Sequence, residues 1–134
     1  MLLMKLKPKE KFAFLQLAHY LARIDNDYGK KEEEIILEYC AEMGIDNDED
    51  FEIEDFNLED TLKSFKTLKS KKIVLMELMI LIHADDKFDI KEKALISQIN
   101  ETFELCPDSL EFCSQWGKGV AASYAQGKLF INDK

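Results

Sequence analysis

The sequence predicts an all-α helical bundle of about six helices, built from two helix-loop-helix repeats related by a pseudo-two-fold axis. Its 134 residues are 46% hydrophobic and 34% charged, which suits one domain with one core, spanning residues 1–134. Only 5 Gly and 2 Pro are present, too few for the many turns of a β-sandwich. Apolar residues recur at three- and four-residue spacing, as on the buried faces of helices.

The first two helices are predicted over Pro8–Arg23 and from about Lys30 to Gly44. Proline suits the first turn of a helix, and glycine is the usual residue at a left-handed C-terminal stop. The apolar positions between these ends form one broad face in each helix. These residues constitute the first repeat, about 8–44.

An acidic linker, 45–56, follows the first repeat, and a short third helix is predicted from Asn57, a suitable N-cap, to about Phe65. The fourth helix, 70–83, is apolar nearly all round, so we expect it at the centre of the bundle. Glu77 is its one acidic residue, and we expect this side chain at an exposed edge.

The last two helices each begin with a capping-box pattern, an aspartate followed three residues later by a glutamate. Asp89 with Glu92 opens a helix to about Phe103, which completes a second repeat of about 68–104. Asp108 with Glu111 opens the C-terminal helix, predicted over about 108–127.

The negative charge is concentrated in one segment. Residues 46–60 hold nine acidic residues and no basic one, and the whole chain has a formal net charge of −9. This charge disfavours nucleic acid as a partner. We expect the linker to be a solvated, mobile connection, and the alternative is a docking strip for a basic protein.

Targeting and redox features indicate a cytoplasmic protein. No apolar stretch at the start of the chain resembles a secretory signal, and the longest apolar run, 73–82, is about half of the ~20 residues that span a bilayer. We therefore expect no direct membrane insertion. The cysteines Cys40, Cys106 and Cys113 match no disulfide framework or zinc motif.

An internal repeat appears when the chain is compared with itself at an offset of 60 residues. The matches cover a helix end, a loop and the start of the next helix. They pair Leu15 with Leu75, Leu21 with Leu81, Asp25 with Asp85, Tyr28 with Phe88, Lys31 with Lys91, Glu32 with Glu92 and Ile36 with Ile96. Duplication of a helix-loop-helix unit explains them, and we expect residues 12–40 to superpose on residues 72–100.

The second loop, Ala84 to Glu92, resembles the signature of TerB-like domains: Ala-Asp-Gly, an apolar residue two positions on, and a glutamate seven after the aspartate. The first loop, Ile24 to Glu32, is a looser copy. Asp86 and Asn26 stand where the family has glycine. The resemblance covers about residues 12–104. It implies a two-fold all-α bundle from tellurite-resistance and metal-stress systems, with acidic loops proposed to bind divalent cations, and relatives fused to co-chaperones.

Both loops carry oxygen donors suited to a hard divalent cation, Ca²⁺, Mg²⁺ or Mn²⁺. The stronger candidate metal site comprises Asp85, Asp86, Asp89 and Glu92, and the weaker comprises Asp25, Asp27 and Glu32. The alternative is that these acids are helix caps, with Gly29 and Asp89 as N-caps and Glu32 and Glu92 at the capping-box position. Neither loop completes an EF-hand.

The leading functional interpretation is a non-enzymatic cytoplasmic module that binds a divalent cation and docks a protein partner. The alternative is a metal-independent scaffold or co-chaperone-type domain. No nucleophile, base and acid occur in a recognisable order, and we expect His19 and His83 to be structural rather than ligands.

Overall fold

The computed structural model describes residues 2–24, 28–85 and 89–133, with the side chain of Asp85 excepted. These residues form six α-helices and no strand, so the all-α prediction is confirmed. The helices are α1 (Pro8–Arg23), α2 (Lys30–Met43), α3 (Leu58–Leu62), α4 (Leu68–Ile82), α5 (Ile90–Thr102) and α6 (Asp108–Asn132). Three 3₁₀ turns lie at Leu3–Lys5, Ile53–Asp55 and His83–Asp85.

Helix α4 lies at the centre of the bundle, as its nearly uniform apolar sequence predicts. It packs chiefly against α6 and also against α1 and α5. Side chains such as Leu75, Leu78 and Ile82 have no exposed surface. At the contact with α6, a Cβ added to Gly117 would lie 2.5 Å from the Cβ of Met79. Glycine is therefore required there because the two helices approach too closely for a side chain.

The offset of 60 residues recurs in the backbone and in the burial pattern. α1 and α4 begin at residues 8 and 68, and α2 and α5 begin at residues 30 and 90. The left-handed residues after α2 and α5, Gly44 (φ 70°) and Glu104 (φ 57°), are also 60 apart. The amide of the residue that follows each of them donates to a carbonyl five residues back, Ile45 to Cys40 and Leu105 to Asn100, with N···O distances of 3.1 Å. The duplication therefore extends to the helix ends, and the rotation that relates the halves stays a prediction.

Several helix ends differ from the prediction. Asn57 caps α3 by accepting a 3.0 Å hydrogen bond from the amide of Asp60, but this helix ends at Leu62. The prediction that Asp108 is an N-cap is wrong, because Pro107 holds that position without a side-chain cap bond. α6 also continues five residues beyond Gly127 to Asn132. The ammonium of Lys128 lies within 3.6 and 3.2 Å of the carboxylates of Glu34 and Glu38 on α2, in exposed ion pairs that contribute little to stability.

The expectation that Glu77 is exposed is wrong. Its side chain is fully buried, and Oε1 accepts a 2.8 Å hydrogen bond from the amide of Leu2. The neighbouring amide of Leu3 donates to Oε2 of Glu42, also at 2.8 Å. A carboxylate can be buried when backbone donors replace its hydration, and here it attaches the N-terminal segment to the core.

Substitutions at the two left-handed positions, Gly44 and Glu104, should have opposite effects on stability. We expect Glu104→Gly to raise the free energy of unfolding by roughly 0.5–1 kcal/mol, because glycine avoids the strain of a positive φ but gains entropy when unfolded. Gly44→Ala should lower it by ~1 kcal/mol. Urea denaturation measures both, and Glu101→Gly, one turn earlier on the exposed face of α5, should destabilise instead.

Candidate functional site

The predicted cation ligands are only partly within the described structure. Asp25, Asp27 and Asp86 lie outside the described residues, and so does the side chain of Asp85. The structure places the three others at the starts of two helices: Glu32 in α2, and Asp89 and Glu92 at α5. Whether the full sets converge on one ion stays a prediction.

Asp89 and Glu92 form the capping box that their spacing predicts. Oδ1 of Asp89 accepts a 2.7 Å hydrogen bond from the amide of Lys91, and Oε1 of Glu92 accepts one of 3.1 Å from the amide of Asp89. Glu92 is 93% buried, with 7% of its surface exposed. The capping interpretation is therefore confirmed for this loop, and both carboxylates already serve backbone donors.

The first loop has the same arrangement at the equivalent positions. Gly29 is the N-cap of α2, and Glu32, the third helical residue, is buried. A Cβ added at Gly29 would lie 3.3 Å from Oε2 of Glu32, so this carboxylate folds back onto the helix start. Within residues 2–24, 28–84 and 89–133, no group of three or more His, Cys, Asp or Glu side chains could hold a metal ion.

Two sets of variants separate capping from cation binding. Without added metal, Asp89→Ala should lower the free energy of unfolding by ~1 kcal/mol, whereas Asp89→Ser, which retains a capping oxygen, should cost little. If the loops bind cations, millimolar Ca²⁺, Mg²⁺ or Mn²⁺ should raise the melting temperature. At a cation concentration ~100 times Kd, the free energy of unfolding should rise by ~2.7 kcal/mol.

The double variant Asp85→Asn with Glu92→Gln is the control for cation binding. Glutamine still fits the capping-box position, so this variant should fold but lose the cation-dependent gain. A wild-type melting temperature that no cation changes would contradict the cation hypothesis and leave the capping role intact.

The acidic linker packs on α1 through aromatic side chains; most of its acids are exposed, as a solvated connection requires, and its mobility stays a prediction. The ring of Phe51 stacks on His19 at a centroid distance of 5.2 Å, and Phe56 stacks on Tyr20 at 4.4 Å. The amide of Gln16 donates to Asp48 at 2.8 Å. The sequence signal for this docking was the pair of phenylalanines between the acids, whose rings are half-buried while most of the carboxylates stay in water.

His19 connects α1 to the linker through a defined tautomer. The guanidinium of Arg23 can only donate, so Nδ1 of His19, 2.8 Å away, accepts. Nε2 therefore carries the proton and donates to Oδ1 of Asn47, also at 2.8 Å. Burial lowers the pKa of His19, the hydrogen bond that His19 donates to Asn47 and the charge of Asp48 oppose this, and the charge of Arg23 adds to it.

This lowered pKa predicts a pH dependence of stability. Below pH ~6.5 the unfolded chain protonates His19 before the folded chain does, so stability is lost as the pH falls toward the folded pKa. Urea unfolding at pH 7.5 and 5.5 should show this loss in the wild type and less of it in His19→Gln. His83→Gln is the matched control and should behave like the wild type; an equal effect of both variants would contradict the assignment.

His83 is satisfied by a side chain rather than by the backbone carbonyl expected for a histidine at a helix end. Its Nε2 lies 3.0 Å from the hydroxyl oxygen of Ser114, which joins the end of α4 to α6. This bond joins the His83–Asp85 turn to α6.

An apolar groove of about 920 Å³ lies along α6. Sequence reasoning missed it, because the side of α6 that stays uncovered depends on the neighbouring helices. We call this cavity the α6 groove; its lining residues from α6 include Trp116, Gly119, Val120, Ser123, Tyr124, Gly127 and Ile131. Glu38 of α2 forms its opposite rim.

The end of α6 exposes three large apolar side chains in succession. Leu129, Phe130 and Ile131 are 74%, 83% and 77% exposed. An added Cβ would find no atom within 4 Å at Gly119 or Gly127, so neither glycine is used for packing within the chain. A contiguous apolar surface of this kind typically marks an interaction site.

Comparison with protein-family models, with curated protein sequences and with solved structures gave no significant match. The TerB-like resemblance therefore rests on the loop motif and its repetition. Among the described residues, no helix is long and apolar enough to cross a membrane.

Proposed function

We propose that this chain is a non-enzymatic protein-interaction module that docks an apolar helix in the α6 groove. The observation that carries the proposal is the continuity of the groove with the exposed side chains of Leu129, Phe130 and Ile131. Water contact with these side chains is unfavourable by about 25 cal/mol per Å² of apolar surface, and a docked helix would remove it.

The shape and composition of the groove favour a helix as its occupant. It follows α6 from Gln115 to Ile131, about four helical turns, and an amphipathic helix laid along it would present side chains at three- and four-residue spacing. Lys128 and Glu38 lie at its rim, so polar residues flank an apolar floor, the usual anatomy of an interface.

The titratable side chains support a non-enzymatic role. Both nitrogens of His19 have partners within the chain. Burial raises the pKa of the Cys40 and Cys113 thiols, which disfavours the reactive thiolate. The exposed thiol of Cys106 has no histidine among its described hydrogen-bond partners.

Cation-dependent action in a tellurite or metal-stress response is a second candidate function. It is favoured by the two acidic loops at equivalent positions of the repeat, each followed by a buried glutamate, Glu32 or Glu92. The cation titration described above tests it, because docking through α6 requires no metal.

The docking proposal predicts a position-specific cross-link in cells. A photoreactive amino acid in place of Ser123, in the floor of the groove, should give a discrete protein adduct. The same substitution at Ser97, exposed on α5, should not. Val120→Glu should abolish the Ser123 adduct because it places a charge in the apolar floor. Equal labelling at both positions, or no adduct at Ser123, would contradict docking.

A further inference from the structure

We propose that the helix docked in the α6 groove is α6 of a second copy of this chain, antiparallel to the first. The inference rests on the proposed function and names its partner. It depends on three properties of α6: the spacing of its exposed residues, their order along the helix and the local absence of acidic side chains.

One stripe of α6 faces away from the bundle. Its six residues follow at intervals of four, three, four, four and three, which average 3.6 and so keep them on one side of a helix. They are Phe112, Trp116, Gly119, Ser123, Gly127 and Phe130. Phe112 and Phe130, at its ends, are 63% and 83% exposed, and the two glycines face open space.

The order of these residues makes the stripe complementary to itself. Large rings occupy its ends and small residues its middle. In an antiparallel pair centred at Ala121, Gly119 lies opposite Ser123 of the second copy, so the backbones can approach closely. Trp116 then lies within one residue of Gly127, and Phe112 lies opposite Phe130. A two-fold axis makes each contact twice. A parallel pair would place Trp116 against its own copy and leave the glycines facing one another.

The charge distribution favours this surface over any other for self-association. Residues 112–132 hold two of the 18 basic residues of the chain and none of its 27 acidic residues. Two molecules of net charge −9 repel over most of their surfaces, whereas residues 112–132 of neither helix bring a carboxylate to the other, and Glu38 at the groove is paired with Lys128 of its own chain. Lys128 is already paired with Glu34 and Glu38 of its own chain, and in this register the lysines of the two helices do not face each other.

The size of the surface predicts a weak dimer. Residues 112–130 span about 27 Å of helix at 1.5 Å per residue. A helix pair of this length provides less than the ~800 Å² per partner of a standard stable interface. We therefore expect association that depends on concentration.

Sedimentation velocity of the full chain tests the association. The sedimentation coefficient should rise with concentration between ~1 and ~300 µM, a range suited to a weak interface. Gly119→Glu should weaken dimerisation at least about tenfold, since it places a carboxylate at the closest approach. Ala122→Glu adds the same charge to an exposed position beside the stripe. This variant should keep the dissociation constant of the dimer within about twofold of the wild-type value. Circular dichroism of both variants verifies folding.

Disulfide trapping tests the register. In a Cys106→Ser background, chains with Gly119→Cys are mixed with chains with Ser123→Cys and oxidised. The mixed 119–123 disulfide should exceed both symmetric disulfides. Predominance of the symmetric 119–119 disulfide would indicate a parallel pair and overturn the proposal.

The photo-adduct at Ser123 separates failure of this inference from failure of docking. An adduct of twice the chain mass supports the homodimer. An adduct of another mass, with a chain that stays monomeric at all concentrations, overturns the homodimer and leaves docking standing. A monomeric chain without any adduct overturns both.

Discussion

The burial of α4 is the constraint on which the rest of the structure depends. Its side chains are apolar on nearly every side, so the helix must be surrounded, and α1, α5 and α6 supply the surrounding surfaces. At the contact between Gly117 and Met79, α6 lies so close to α4 that the inner face of α6 is used for this packing. What α6 presents to water is therefore its opposite side, the groove and the exposed stripe.

Buried carboxylates hold the helix starts and the N-terminal segment around that core. Glu10 accepts a 2.9 Å hydrogen bond from the amide of Lys7, Glu92 accepts from Asp89, and Glu77 accepts from Leu2. Each of these charges accepts a hydrogen bond from a backbone amide. Acidic residues whose spacing resembles a set of metal ligands can thus accept hydrogen bonds from backbone amides instead. At Asp89 and Glu92, helix capping and cation binding would use the same carboxylate oxygens.

The surface divides into an acidic part and a nearly neutral apolar part. Most acids of the docked linker stay in water, while Phe51 and Phe56 pack on α1. The net charge of −9 opposes contact between two copies, whereas residues 112–132 of α6 carry no acid and include the one tryptophan of the chain, which lines the groove. The same charge pattern that favours solubility would thereby limit association to one face.

The sequence by itself determined the features that depend on residues within one or two helical turns. Pro8 at the start of α1, Gly44 in the left-handed stop and the Asp89–Glu92 capping box were all predictable, because capping and periodicity are local. The repeat was also predictable, since duplication leaves the same local signals 60 residues apart.

Only the tertiary structure decided the features that depend on distant partners. The linker docks because Phe51 meets His19, and Glu77 is buried because the amide of Leu2 reaches it. The groove exists because α6 uses one face for α4 and leaves the other uncovered. Which of two apolar faces is buried is set by the neighbouring helices, and neither periodicity nor composition within α6 specifies it.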